Sequence, residues 1–221
     1  MSKNHDKNRA RILDALLPIA AFEGWNSKSL RQAVRSAKLP PGSEDTYFPG
    51  GEIEAITFWS ETCNAQVQAH FDGLDLADMR IRDKVTQGVW AYIEALKTHE
   101  DAARRAMARL SMLDAVGRGP KHRWATADTI WRAIGDTSTD INFYSKRAIL
   151  SGVISSVFVK WLTDTDPDKH ATRDFLQARI ANVMSFEKAK FQFKNTRESW
   201  PSPASVLGRL RYGSRRRRRR S

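Results

Sequence analysis

Apolar residues recur at steps of three and four along almost the whole of this 221-residue chain, and nowhere do apolar and polar residues alternate as in a half-buried strand. This spacing predicts an all-α fold. Hydrophobic residues make up 41% of the chain, with seven Trp and ten Phe, too many large rings for a disordered protein to leave exposed. At this length the helices form either one sizeable core or a small N-terminal lobe joined to a larger bundle, and the second arrangement is expected.

The pattern places a first helix over 8–22, with Ile12, Leu13, Leu16, Ile19 and Ala20 on one stripe and Gly24 as its left-handed stop. Ser27 is expected to cap a second helix that turns Leu30, Ala33, Val34 and Ala37 inward. A long helix over 52–71 presents Ile53, Ile56, Trp59, Cys63 and Val67. Further helices are expected over 79–97 and over 101–116, the latter with Met107, Leu110 and Leu113 inward. Another is expected over 123–134, after a break at Gly117, Gly119 and Pro120. Ser138, Thr139 and Asp140 offer N-cap chemistry for a helix that is apolar nearly all round from Ala148 to Leu162, hence central or interfacial. A last long helix is expected from Asp166-Pro167, carrying Phe175, Leu176, Ile180, Val183, Phe186 and Phe191.

Between Lys38 and Gly51 the chain has the layout of a short DNA-reading helix without its chemistry. Such an element needs cations and neutral polar groups where it meets phosphates and base edges. Here those positions hold Pro40, Pro41, Glu44 and Asp45. The formal charge of +12 does not restore the case, because eight Arg lie in residues 200–221, which contain no acid. The body is nearly balanced, and no specific nucleic acid is expected as a partner.

The lone Cys63 rules out an intramolecular disulfide and a Cys-rich metal site. Five scattered His form no His-Glu-x-x-His or Glu-x-x-His pattern, and there is no Gly-rich phosphate loop or Gly-x-Ser-x-Gly elbow. The expectation is therefore no metal, no cofactor, no catalytic set and no enzyme. The start has no apolar signal region, and the longest run free of charge, 148–159, is too short to span a bilayer, so a soluble or peripheral protein is expected.

Three segments carry candidate binding chemistry. Around the helix start at 135–147, Ile141 and Tyr144 fit a core at three-residue spacing, yet adjacent Phe143 and Tyr144 cannot both face the same core, so one of them is a candidate anchor for a partner protein. Trp90, Ile93, Met107, Leu110, Trp131 and Ile134 are candidate linings of a lipid cavity, and an ordinary packed core would use the same spacing. At the C-terminus, Ser202 and Pro203 open a short helix with Val206, Leu207 and Leu210 on one stripe, flanked by Trp200, Arg209, Arg211 and Tyr212 and followed by six Arg. That combination suits an anionic membrane surface.

Two resemblances organise these readings. Residues 9–60, through Glu23-Gly24-Trp25, Leu30, Ala33, Gly42 and Phe48, resemble the N-terminal domain of TetR regulators, with Asp45 where that family has Tyr and Gly51 where it has Lys. Almost the whole ordered chain resembles the Coq-nine family of coenzyme Q (ubiquinone) biosynthesis accessory proteins. The carrying residues are Gly24-Trp25, Cys63-Asn64, Gly135-Asp136, Ser138-Thr139-Asp140, Asn142, Tyr144, Arg147-Ala148, Leu150, Phe175-Leu176 and Arg179.

The resemblance implies a TetR-like fold with an HTH-like lobe at 1–50, a lipid-binding and dimerisation bundle at 51–198 and an amphipathic membrane-contact helix at 199–214, and the composition adds a poly-Arg tail at 215–221. It implies a homodimer that binds an isoprenoid quinone or other lipid and presents it from the membrane to the di-iron demethoxyubiquinone hydroxylase. The implied partner surface is Asp140, Asn142, Phe143, Tyr144 and Arg147, with Phe143 where the family often has Trp. A bacterial cytoplasm with inner-membrane contact is the expected setting, and the matrix side of the mitochondrial inner membrane is the alternative. The rival function is a TetR-like ligand-sensing repressor.

Overall fold

The computed structural model describes residues 3–198, with side chains over 4–185. Among the described residues every regular element is helical: α1 (Lys3–Glu23), α2 (Ser27–Ser36), α3 (Ser43–Tyr47), α4 (Gly51–Asp72), α5 (Ile81–Lys97), α6 (Glu100–Leu110), a single 3-10 turn (Leu113–Ala115), α7 (Arg118–Ala133), α8 (Asp140–Thr163) and α9 (His170–Glu198). The all-α expectation holds. The chain up to Ile180 forms one compact unit, and α9 from Ala181 onward belongs to a separate one.

The α1 stripe buries Ile12, Leu13, Leu16, Leu17 and Ala20, while Ile19 stays half-exposed. Gly24 ends the helix with φ +82°, a conformation that costs glycine little. That turn leaves Asn26 extended, so its side chain, and not that of Ser27, caps α2 by accepting the Ser29 N–H at 3.0 Å. The neighbouring Trp25 donates its indole N–H to the Ala102 carbonyl of α6 at 2.9 Å and stacks on Trp59 of α4 at 5.6 Å, joining three elements at the turn. In the segment after α2, Pro40, Pro41 and Asp45 are exposed and Glu44 half-exposed, so α3 turns carboxylates outward.

Helices α4, α5 and α7 meet at Gly88. A Cβ built there would lie 2.7 Å from Ile130 Cγ2 and 3.1 Å from Phe71 Cε2, both on buried side chains. The gain in helix propensity from Gly88→Ala is about 1 kcal/mol. Overpacking at so close a crossing costs more, and the net expectation is a loss of about 1–2 kcal/mol, read as a lower urea midpoint with unchanged m.

Helix α1 begins at Lys3, five residues before the expected start, and three later boundaries also differ in ways the structure explains. Helix α6 stops at Leu110, not at 116, because Ser111 turns its hydroxyl back onto the Ala108 carbonyl at 2.7 Å and Gly117, at φ +86°, redirects the chain. Its inward face is Ala102, Ala103 and Ala106, which allow close packing, while Met107 is 39% and Leu113 93% exposed. Helix α7 starts at Arg118, five residues early, with Pro120 in the first turn, where a missing N–H breaks no helical bond. Helix α9 starts at His170. Before it, the buried Asp164 accepts the Thr172 N–H at 2.9 Å and hydroxyl at 2.6 Å, and Lys169 takes φ +55°.

Helix α8 is apolar as expected but not enclosed. One side buries Leu150, Val153, Ile154, Val157, Phe158 and Trp161, while Ala148, Gly152, Ser155 and Val159 lie open on the other.

Candidate functional site

The α7–α8 corner is organised by Arg147, which is 1% exposed. Its Nε donates to Asp128 of α7 at 2.6 Å, and its Nη1 donates to Asp136 at 3.3 Å and to the Phe143 carbonyl at 3.2 Å. The guanidinium lies 3.5 Å from the centre of the Phe143 ring. Asp136 also receives the Ser138 hydroxyl at 2.5 Å and the Lys146 ammonium at 2.6 Å. Burial alone would push its carboxyl up, and the hydrogen bonds from Lys146, Ser138 and Arg147 together outweigh that and hold it below the usual carboxylate range. Gly135, at φ +79°, makes the turn that brings Asp136 into reach.

This arrangement revises two expectations. Ser138 serves Asp136 and not the helix N-terminus, and Thr139 occupies the cap position without a side-chain cap bond. Arg147 is the anchor beneath the segment, not part of its exposed surface.

What the corner does expose is the first turn of α8. Ile141 is 80% and Tyr144 63% exposed, so neither belongs to the core that their spacing fits. Asp140 and Asn142 are exposed beside them, and Asp140 takes φ +56°, uncommon outside glycine. Phe143 is the half-buried member of the aromatic pair. Tyr144 packs edge-on to Phe143 at 5.2 Å and lies 6.3 Å from the Trp124 ring of α7. An apolar and aromatic surface with polar edges, fixed from below by a charge-assisted network, suits protein recognition.

The six candidate lipid contacts do not converge on one cavity among the described residues. Trp90 lines an open groove of about 530 Å³ between α4, α5 and α9, with Arg173 stacked over its ring at 3.8 Å and Leu176 beside it. Met107 and Leu110 border an internal space of about 40 Å³. Met107 also reaches a second open groove of about 380 Å³ between α7 and α8, lined by Pro120, Trp124, Gly152, Phe158 and Val159. Ile93 and Ile134 are buried in the core, and the Trp131 indole donates to the Lys146 carbonyl at 3.2 Å. Trp90 and Ile93, Met107 and Leu110, and Trp131 and Ile134 are each three residues apart, so periodicity put core and groove residues in one set.

Two buried reactive groups are held uncharged. Burial, helped by Arg123 and Arg118, pushes the His122 imidazole down to about 4, and its Nε2 lies 3.1 Å from the Thr57 hydroxyl. Burial pushes the Cys63 thiol up to about 12. Asp166, Asp168 and His170 come close enough to share a metal ion, but they are largely exposed and Asp166 already accepts the N–H groups of Asp168 and His170 at 3.0 Å each. The candidate membrane contacts Trp200, Val206, Leu207, Arg209, Leu210, Arg211 and Tyr212 lie outside the described residues.

Sequence reasoning missed Trp124 and Asp128. Asp128 sits four residues before Arg132, an ordinary surface ion-pair spacing that hides its bond to the distant Arg147. Trp124 follows Arg123 at the point where the expected helix was only beginning, so it had no assigned face.

The segment that matches a family model contains this corner. Residues 116–187 match the COQ9 family model. Over 204 residues the chain is 26% identical to the mitochondrial ubiquinone biosynthesis protein COQ9 of Xenopus tropicalis, an alignment covering 89% of this chain and 64% of that protein. The corresponding identities are 24% for the Bos taurus protein and 23% for the Homo sapiens protein, with the same coverage. The chain thus spans just under two thirds of the length of these relatives. The resemblance to COQ9 ubiquinone biosynthesis proteins stands.

Proposed function

From its likeness to COQ9 proteins we infer that this chain works in ubiquinone biosynthesis, and we propose that it does so as a non-enzymatic accessory protein. In this reading it binds a quinone intermediate or other lipid, draws it from the membrane and presents it to the di-iron demethoxyubiquinone hydroxylase. The observation that carries the proposal is the exposed Ile141, Asn142 and Tyr144 surface on the Arg147-anchored corner, inside the matched segment.

The α7–α8 groove supports the lipid half of the reading. It is lined by Trp124, which also faces Tyr144, so an isoprenoid held there arrives next to the docking surface. Moving so apolar a molecule through water is unfavourable in proportion to its exposed area, and a groove that replaces its lipid contacts reduces that cost. The relatives are named as mitochondrial proteins, which favours the matrix side of the inner membrane over a bacterial cytoplasm as the proposed setting. Among the described residues no helix is long and apolar enough to cross a membrane, which suits peripheral attachment. The repressor reading is weaker, because α3 presents Glu44 and Asp45 where phosphates would lie.

Gly152 offers the test. Nothing lies within 4 Å of a Cβ built there, so the backbone has room for a side chain and Gly152→Phe is expected to project its ring into the groove. Native mass spectrometry of the purified protein is expected to find quinone-class lipid on the natural chain and at least roughly tenfold less on the variant, while capture of the hydroxylase persists. A natural chain that purifies lipid-free, shows no lipid affinity and leaves hydroxylase turnover unchanged would end the proposal.

A further inference from the structure

The connection between α6 and α7 concentrates apolar exposure in a few residues. Leu113 is 93%, Val116 70% and Met112 55% exposed, around one 3-10 turn. Isolated exposed apolar residues are ordinary, but three large ones within five residues form a tip that stands clear of the core. The turn is held firmly beneath them. Ala115 is 1% exposed, and Arg109 grips Asp114 at 2.7 Å and Glu52 of α4 at 3.0 Å.

The charges around the tip have one sign left over. Arg109 is shared by Asp114 and Glu52, whereas exposed Arg118 and Lys121, in the first turn of α7, make no ion pair among the described residues and leave these five groups net positive. We propose that this tip is a membrane contact in its own right, with Met112, Leu113 and Val116 entering the headgroup boundary of an anionic bilayer and Arg118 and Lys121 resting on its phosphates. A single turn cannot supply the ~800 Å² per partner buried in a stable protein interface. A few apolar side chains beside two cations are enough for shallow, reversible attachment to anionic lipid. The inference goes beyond the accessory role and needs neither quinone nor hydroxylase.

The test uses the full chain and vesicles of phosphatidylcholine with or without phosphatidylserine. The C-terminal segment is present in every arm, so its contribution is common to all. Because the Cys63 thiol is buried and pushed up to about 12, Leu113→Cys provides a single reactive site for an environment-sensitive fluorophore, with Thr46→Cys as the exposed control. With phosphatidylserine present, the label at 113 is expected to shift to the blue and be quenched by brominated acyl chains, and the label at 46 to do neither. Combined Leu113→Asp and Val116→Asp should lower the vesicle partition coefficient roughly tenfold, and combined Arg118→Glu and Lys121→Glu should lower it several-fold only on anionic vesicles. The idea is overturned if the label at 113 stays in water on vesicle-bound protein, if the aspartate pair binds vesicles as well as the natural chain, or if only added hydroxylase shields the label. The two vesicle results do not touch lipid cargo or hydroxylase capture, and shielding by hydroxylase alone would overturn the membrane contact while leaving the accessory role standing, so the two fail separately.

Discussion

Replacing Arg147 by alanine is expected to destabilise the protein by about 3–5 kcal/mol, the range found when one partner of a buried ion pair is removed. The guanidinium is almost wholly enclosed, and its loss opens a void, leaves Asp128 with Arg132 alone and Asp136 with Lys146 and Ser138, and takes the partner from the Phe143 ring and carbonyl. Arg147→Lys should retain part of this, because one ammonium cannot span both carboxylates as the planar fork does. Urea unfolding of the three proteins checks the order: natural chain, then lysine, then alanine.

The same network sets an acid dependence. Asp136 is held below its unfolded value of about 3.9, so its contribution to stability is fully present above that pH and is lost as pH falls through the folded value. A stability profile taken downward from pH 6 should therefore fall less steeply in Arg147→Ala than in the natural chain, because one of the groups favouring the ionised carboxylate is gone. Equal slopes would remove Arg147 from the set of groups that depress Asp136.

The second large effect concerns docking and should leave stability alone. Combined Ile141→Ser and Tyr144→Ala is expected to weaken hydroxylase capture at least roughly a hundredfold, corresponding to the loss of two anchors in a small interface. Both side chains are mostly solvent-exposed, so unfolding should change by no more than about 0.5 kcal/mol. Surface plasmon resonance with immobilised hydroxylase, beside a thermal melt of each variant, separates the two quantities. Unchanged affinity in a well-folded double variant would move the docking surface elsewhere.

How far the sequence could be read depended on how local each signal was. The α1 stripe, the Gly24 stop and the long α4 followed from spacing because neighbours on a helix decide them. The cap of α2 was displaced by one residue because Asn26 and Ser27 have nearly equal propensity, and the backbone angle after Gly24 decided between them. The end of α6 was missed because Met107, Leu110 and Leu113 continue an apolar period past the point where Ser111 takes a carbonyl. The α7–α8 corner was partly legible: the aromatic pair advertised that one ring had no core to face. Which ring is outside depended on Arg147 drawing Phe143 inward, a bond to Asp128 nineteen residues away that no local pattern encodes.

One backbone detail bears on any mutational scan of this corner. Asp140 begins α8 with φ +56°, so replacements there are sorted first by whether they tolerate a left-handed backbone and only then by what they present to a partner. Glycine and asparagine should be accepted, and valine and isoleucine rejected, in a protein never exposed to hydroxylase. A scan of 140–144 read only through activity would merge two filters, one conformational and one interfacial. Scored for abundance and binding together, position 140 should sort with the core and positions 141 and 144 with the partner, although all of them lie on one exposed turn.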